Sequence, residues 1–211
     1  MTSHSSTQPA AADPTPDPAA VAKPTFHHFN LKTTRLDEMI AFYGTLVGAE
    51  VIFRDQTGAW LSNDEANHRI ALLSFPNFAE DPEKDTRAGI HHSAFEYRDF
   101  EQLNAGYLHL KQARIVPDFC LDHGMTFSYY YRDPDGNYVE LQVDNFGDWS
   151  KSRAWMRDSE TFHANPIGVF VDPEQIAADH AAGIGFAEIH AKAIAGGYVP
   201  GEAPVDIPEV S

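Results

Sequence analysis

Cysteine is nearly absent from this 211-residue sequence, where Cys120 stands alone. An internal disulfide is thereby excluded, a thiolate zinc site has no second sulfur to build on, and Cys120 reads as a small buried hydrophobe. Positive charge is scarce as well: 15 Lys and Arg face 31 Asp and Glu, a formal net charge of −16. Such a field repels phosphate backbones and anionic lipid, so nucleic acid is not an expected partner. No apolar run approaches the ~20 residues of a membrane span, which removes the membrane as well. The first residues carry neither the apolar core of a secretory signal nor the arginines of a transit peptide, so a cytoplasmic protein is expected. Residues 1–24 contain no aromatic side chain and are made largely of Ser, Thr, Ala, Pro and Asp. With nothing to bury, that stretch reads as a disordered tail.

What remains is enough for a core, at 43% hydrophobic residues. From Phe26 to Lys32 the chain reads as a strand. A helical pattern follows from Leu36 to Val47, with Thr33 and Thr34 as candidate caps, Ile40, Tyr43, Leu46 and Val47 on one face, and Gly48 as the stop. Strands are expected at Glu50–Arg54, Ala59–Ser62 and His68–Phe75, giving the order βαβββ. At Ile90 this order restarts. Shifted by 64 residues without a gap, His28 falls on His92, Ala41 on Ala105, Tyr43 on Tyr107, Leu46 on Leu110 and Ala49 on Ala113, with Val51 set against Ile115. The identities lie at strand and helix positions and point to a duplicated module, at 26–76 and 90–145. Residues 146–211 differ in character. Trp149–Met156 has the pattern of a short amphipathic helix, and Pro173–Ala195 is helical with a break near Gly183 and Gly185. A lid and a dimer contact are both open readings of this extension.

The second module ends in a hairpin. Its turn, Arg132-Asp133-Pro134-Asp135-Gly136, has Pro to preset φ and Gly to permit positive φ, and the return strand alternates Val139, Leu141 and Val143 against Glu140, Gln142 and Asp144. A carboxylate mid-strand faces either solvent or a cavity that holds a cation. Each module opens on a His pair, His27-His28 and His91-His92, and alternation allows one of each pair to face a given space. Apolar parity assigns Phe29, Leu31 and Phe95 to the helix side, which leaves His28 and His92 on the side of Glu140. Two imidazoles and one carboxylate, with other positions open, are the donor set that suits Fe(II) oxygen chemistry.

Taken together, the duplicated βαβββ module with His28, His92 and Glu140 resembles the vicinal oxygen chelate superfamily, and further residues resemble its single-domain type I extradiol dioxygenases. The signature is a His, a short spacer and Tyr-x-x-Asp-Pro-x-Gly-x-x-x-Glu, present as His123 and then Tyr130 to Glu140. Tyr129 stands where that group carries an aliphatic residue or Phe, so the choice of Tyr130 among three consecutive tyrosines rests on strand register. His68, in His68-Arg69-Ile70-Ala71-Leu72, matches a second motif. The resemblance implies an α+β fold in which two paired βαβββ modules, residues 25–145, form a curved, barrel-like sheet around a metal cup. It implies His28, His92 and Glu140 as ligands of Fe(II), with Mn(II) the alternative, and His68, His123 and Tyr130 as catalytic residues. No organic cofactor is required.

The implied reaction is extradiol cleavage of a small aromatic diol by O2, giving a hydroxymuconic semialdehyde-type product, as in aromatic hydrocarbon catabolism. The alternative is a metal-dependent isomerase or lyase of the same superfamily that does not use oxygen. A bicyclic diol is the first expectation and a simple or alkyl catechol the second, with Trp60, Phe119, Phe146, Trp149 and Trp155 as candidate pocket residues. A homo-oligomer is expected. His163, His180 and His190, in the alanine-rich extension, are expected to face solvent.

Overall fold

Two short helices set the frame. In helix α1 (Leu36–Val47), Met39, Tyr43 and Leu46 recur at helical spacing and are buried, and Gly48 closes the helix at φ 67°, a left-handed value that glycine adopts without strain. Neither Thr33 nor Thr34 caps it: Arg35 holds the cap position without a side-chain cap bond, and Thr33, two residues earlier, accepts from the Arg35 N–H at 2.8 Å. Helix α2 (Phe100–Gln112) starts on Asp99, whose carboxylate accepts from the Gln102 N–H, and buries Leu103, Tyr107 and Leu110. The computed structural model describes residues 22–201, so most of the N-terminal tail and residues 202–211 lie outside it.

Each helix follows one strand and precedes three, as the repeat requires. Strand β1 (Phe29–Lys32) leads α1, and β2 (Glu50–Arg54), β3 (Gly58–Ser62) and β4 (Ile70–Leu73) follow it. Strand β5 (His92–Tyr97) leads α2, and β6 (Phe119–Asp122), β7 (Thr126–Arg132) and β8 (Tyr138–Asp144) follow. One sheet runs β1-β4-β3-β2. The other runs β5-β8-β7-β6-β9, where β9 (Val169–Phe170) belongs to the extension. The pairs β1/β4 and β5/β8 are parallel and the rest antiparallel. The architecture is α+β with two open sheets. Among the described residues no ladder joins them into a closed barrel.

What joins the modules is side chains. One hydrophobic core contains Tyr43, Leu61 and Leu72 of the first module and Tyr129, Tyr131, Leu141 and Val143 of the second. A polar weld adds to it. Asp133, 4% exposed in the β7–β8 turn, accepts from the N–H groups of Asp135 and Asn137, from Asn137 Nδ2 at 2.7 Å, and from the Tyr43 hydroxyl of α1 at 3.2 Å. Burial pushes this carboxyl up despite the donors around it. Cys120 is buried and free, as expected.

Several sequence expectations shift. The first strand begins at Phe29 rather than Phe26, and the fourth covers Ile70–Leu73 rather than His68–Phe75, because these two strands pair only over four residues. The gapless repeat ends with the helices: β2 starts at Glu50, three residues after α1, whereas β6 starts at Phe119, seven after α2. Ile115 is therefore in the connection and is not the counterpart of Val51. The extension folds as α3 (Trp149–Asp158), α4 (Glu160–Ala164), β9, α5 (Pro173–Ala181) and α6 (Phe186–Ile194), broken at Gly183 where φ is 93°. It is built into the domain, for β9 completes the second sheet and Ile176 and Ile189 enter the core.

Candidate metal centre

Register decides which side chains meet. Tyr130 of β7 lies opposite Glu140 of β8 and opposite Phe119 of β6, and Ala94, two residues after His92, is the β5 partner of Glu140. His92, Phe119, Tyr130 and Glu140 thus share one face of the sheet, while Tyr129, Tyr131, Val139 and Leu141 are in the core behind it. Of the three consecutive tyrosines, only Tyr130 faces the site.

There the polar groups form a chain. His92 Nε2 is 3.0 Å from Glu140 Oε2, the Tyr130 hydroxyl donates to Glu140 Oε1 at 2.8 Å, and His123 Nε2 lies 2.9 Å from that hydroxyl. Glu140 is 4% exposed. Burial would raise its carboxyl, but hydrogen bonds from His92, Ser128 and Tyr130, with the His92 charge, outweigh it and hold Glu140 below the usual range. Burial, and then Glu140, push the Tyr130 hydroxyl up. His123 is held below the ordinary imidazole value, chiefly by burial. Phe119 stacks on Tyr130 at 4.4 Å between centroids and shields this chain from one side.

The first-module residues gather separately. The rings of His28 and His68 lie 4.4 Å apart, with His27 beside both. Ligand atoms of His27, His28 and His68 lie within 4.8 Å of one another, and this is the one such group of three His, Cys, Asp or Glu side chains among the described residues. His28, His92 and Glu140 do not form such a group. His28 precedes the first ladder residue of β1 and His92 opens β5, on sheets that share no backbone bonds. The structure thus brings His92, Glu140, Tyr130 and His123 together, and His28 with His68, as two clusters. The donors fit a divalent cation: a buried carboxylate already paired with one imidazole, and further imidazoles on the neighbouring sheet.

Residues 25–141 match the family model of the glyoxalase/bleomycin resistance protein/dioxygenase superfamily. The chain belongs to this superfamily. Within it, the chain is 39% identical over 162 residues to biphenyl-2,3-diol 1,2-dioxygenase 2 of Rhodococcus globerulus, covering 77% of this chain and 84% of that one. It is 35% identical over 170 residues to biphenyl-2,3-diol 1,2-dioxygenase 3 of the same organism, covering 81% and 89%. Similarity to catechol-2,3-dioxygenase of Bacillus subtilis is lower, 26% over 125 residues, 59% of this chain and 41% of that longer one.

In this superfamily member His92, His123 and Tyr130 lie at the wall between two cavities of about 920 and 490 Å3. Phe119, Leu121, Tyr138 and Ile167 give the larger one an apolar side, and Trp149 and Met156 border the smaller. Trp60, Phe146 and Trp155 line neither. Trp60 packs by Phe53, and Trp155 lies between Phe146 and Phe162. Sequence reasoning missed His190 and His180. Neither is simply solvated: His190 Nδ1 is 2.6 Å from the buried Asp122, and His180 reaches Asn104 and Phe100. His163 is exposed, as expected.

Proposed function

We propose that the chain is an extradiol dioxygenase that opens a catecholic ring with O2, using Fe(II), or Mn(II) in its place, held by His28, His92 and Glu140. The observation that carries this reading is the chain from His123 through Tyr130 and Glu140 to His92, set at the mouth of an aromatic-walled cavity. Dioxygenase relatives covering about four fifths of the sequence support it. A ferrous ion in this donor set supplies the redox chemistry that lets an electron-rich diol react with dioxygen.

The protein's own groups manage protons and water. The Tyr130 hydroxyl gives its one proton to Glu140 Oε1, so His123 donates from Nε2 to the hydroxyl oxygen. Burial keeps His123 neutral near pH 7, and its Nε2 proton together with the Tyr130 hydroxyl hydrogen-bonds the substrate oxygens and supplies a proton to later intermediates. His68, likewise held below the ordinary imidazole value by its surroundings and by His28 and His27, serves as acid or base on the oxygen side. A cavity of about 920 Å3 exceeds what one ring fills, and the apolar side made by Phe119, Tyr138 and Ile167 suits a second ring. A bicyclic diol is therefore the preferred substrate class, and the product is a ring-opened hydroxymuconic semialdehyde type.

The test is oxygen uptake by anaerobically iron-loaded protein given 2,3-dihydroxybiphenyl, 3-methylcatechol and catechol, with His92→Ala as control. The expected result is uptake matched to a yellow product, fastest with the bicyclic diol and lost in the variant. Binding of the diol to the iron-loaded protein without oxygen consumption would overturn the reading in favour of an isomerase or lyase.

A further inference from the structure

The C-terminal extension packs against the short loop that carries His123. The carboxylate of its neighbour Asp122 is fully buried, and a buried charge of this kind needs partners. Asp122 Oδ1 accepts from the Gly124 N–H at 2.8 Å and from Asn145 Nδ2 at 3.2 Å, which ties the chain on both sides of His123. Oδ2 is held by His190 Nδ1 of α6 at 2.6 Å, and the His190 ring stacks on Phe186. On the opposite side, Gly168 lies backbone to backbone on the same residues: with φ at 86°, a Cβ there would stand 2.1 Å from the Asp122 carbonyl oxygen and 2.7 Å from His123 Cα. His123 Nε2 faces the Tyr130 hydroxyl at 2.9 Å, and because that hydroxyl gives its one proton to Glu140 Oε1, Nε2 is the donor of the pair. A Cβ on Gly124 would meet the Trp155 ring of α3 at 2.3 Å, so three parts of the extension converge on one short loop.

We propose that His190, acting through Asp122, and the close backbone of Gly168 together fix the His123 ring in the single orientation and tautomer that presents the Nε2 proton to Tyr130. His190 and Asp122 are positioning residues, and the extension is part of the catalytic apparatus. The inference rests on the dioxygenase reading for the role of His123 but not for its geometry. With the ring held, the Nε2 proton stays aimed at the Tyr130 oxygen, whose own proton lies on the Glu140 side. Release of the Asp122 anchor frees the loop to turn the ring.

Two measurements test this. In metal-free, 15N-histidine-labelled protein, the His123 resonances, assigned by their loss in His123→Ala, should show one tautomer protonated at Nε2. His190→Ala should give averaged, mixed-tautomer shifts, and His190→Asn, whose amide nitrogen replaces Nδ1, should restore the single form. His190→Gln moves the donor one bond outward and should behave as the alanine variant while keeping a polar side chain on α6. In iron-loaded enzyme, His190→Ala should lower kcat about 10- to 100-fold, the usual effect of removing an outer-shell partner, with KM little changed. In a His123→Ala background the same change should cost almost nothing further, because both act through one ring. A His123 ring unaltered by His190→Ala and His190→Gln would overturn the proposal, as would losses that multiply in the double variant. The ring measurement needs neither metal nor turnover, so it decides the positioning claim even where no diol is consumed, an outcome that would sink the dioxygenase reading alone.

Discussion

The two βαβββ modules share an element order, a core and a leading His pair that is exposed in both, yet they hold their remaining functional side chains differently. In the second module Glu140 and Tyr130 are 4% and 3% exposed and joined to His92 and His123 by hydrogen bonds. In the first, His27 and His28 are exposed and His68 is half-buried, with ring contacts in place of hydrogen bonds to a carboxylate. Their outer strands differ too. Strand β6 is covered by β9, whereas its counterpart β2 leaves Val51, Ile52 and Phe53 at 44%, 55% and 56% exposure. One half of the proposed site is built by folding, and the other would be supplied by a looser edge. A cation bridging them would then do more for the first module than for the second.

The largest effect that can break this comparison comes from the proposed ligands. Alanine at His28, His92 or Glu140 should each abolish iron retention and cut diol cleavage by at least about a thousandfold. The three should differ without metal. His92→Ala strips Glu140 of its imidazole partner and should lower the melting temperature of the metal-free protein, while His28→Ala should leave it unchanged. Ferrous iron at 100 times its Kd should stabilise the native protein by about 2.7 kcal/mol, or about 5–10 °C, and calorimetry of the His28→Ala variant should show no such rise. A full rise in that variant would mean that the first module gives nothing to the site.

A smaller effect tests the weld between the halves. Asp133→Ala orphans the N–H groups of Asp135 and Asn137, the Asn137 amide and the buried Tyr43 hydroxyl. It should cost about 2–4 kcal/mol, read as a lower denaturant midpoint with an unchanged slope. A cost near zero would show that the apolar core alone holds the modules together.

How far the sequence carried each half follows from the range of the signals involved. Helix α1 ends where its apolar period and Gly48 place it, and the break between α5 and α6 falls at Gly183, since both are local effects. Strand alternation separated Glu140 from Leu141 and Tyr130 from Tyr129, because period two is fixed by the backbone once the register is known. The apolar face of α1 was read one residue short, missing Met39. His190 was not legible at all. Its partner lies 68 residues away, and an alanine-rich helix gives no hint that one of its polar residues meets a buried carboxylate. The register slip between Val51 and Phe53 was likewise hidden, since a bulge on an exposed strand leaves the hydrophobic pattern nearly intact.

The smallest effect concerns the turn chemistry that both modules use. Between β3 and β4, Asp64 does what Asp133 does between β7 and β8. It accepts from the Ala66 N–H at 2.9 Å and pairs with Arg69, which also donates to the His27 carbonyl. The Arg69 hydrogen bond leads in holding its carboxyl down at about 2. A depressed carboxyl contributes stability at every pH above its unfolded value and loses it as pH falls toward 2, so Asp64→Asn has its full effect at neutral pH. But the Asp64 side chain is 46% exposed, and water screens the pair. At pH 7 the variant should therefore melt within about a degree of the parent, and 1 M NaCl should erase even that difference. If Asp64→Asn instead rivals Asp133→Ala, then the turn carboxylate itself, and not its burial against Tyr43, sets the cost, and the contrast between a prebuilt half and a loose half no longer explains the stability of either.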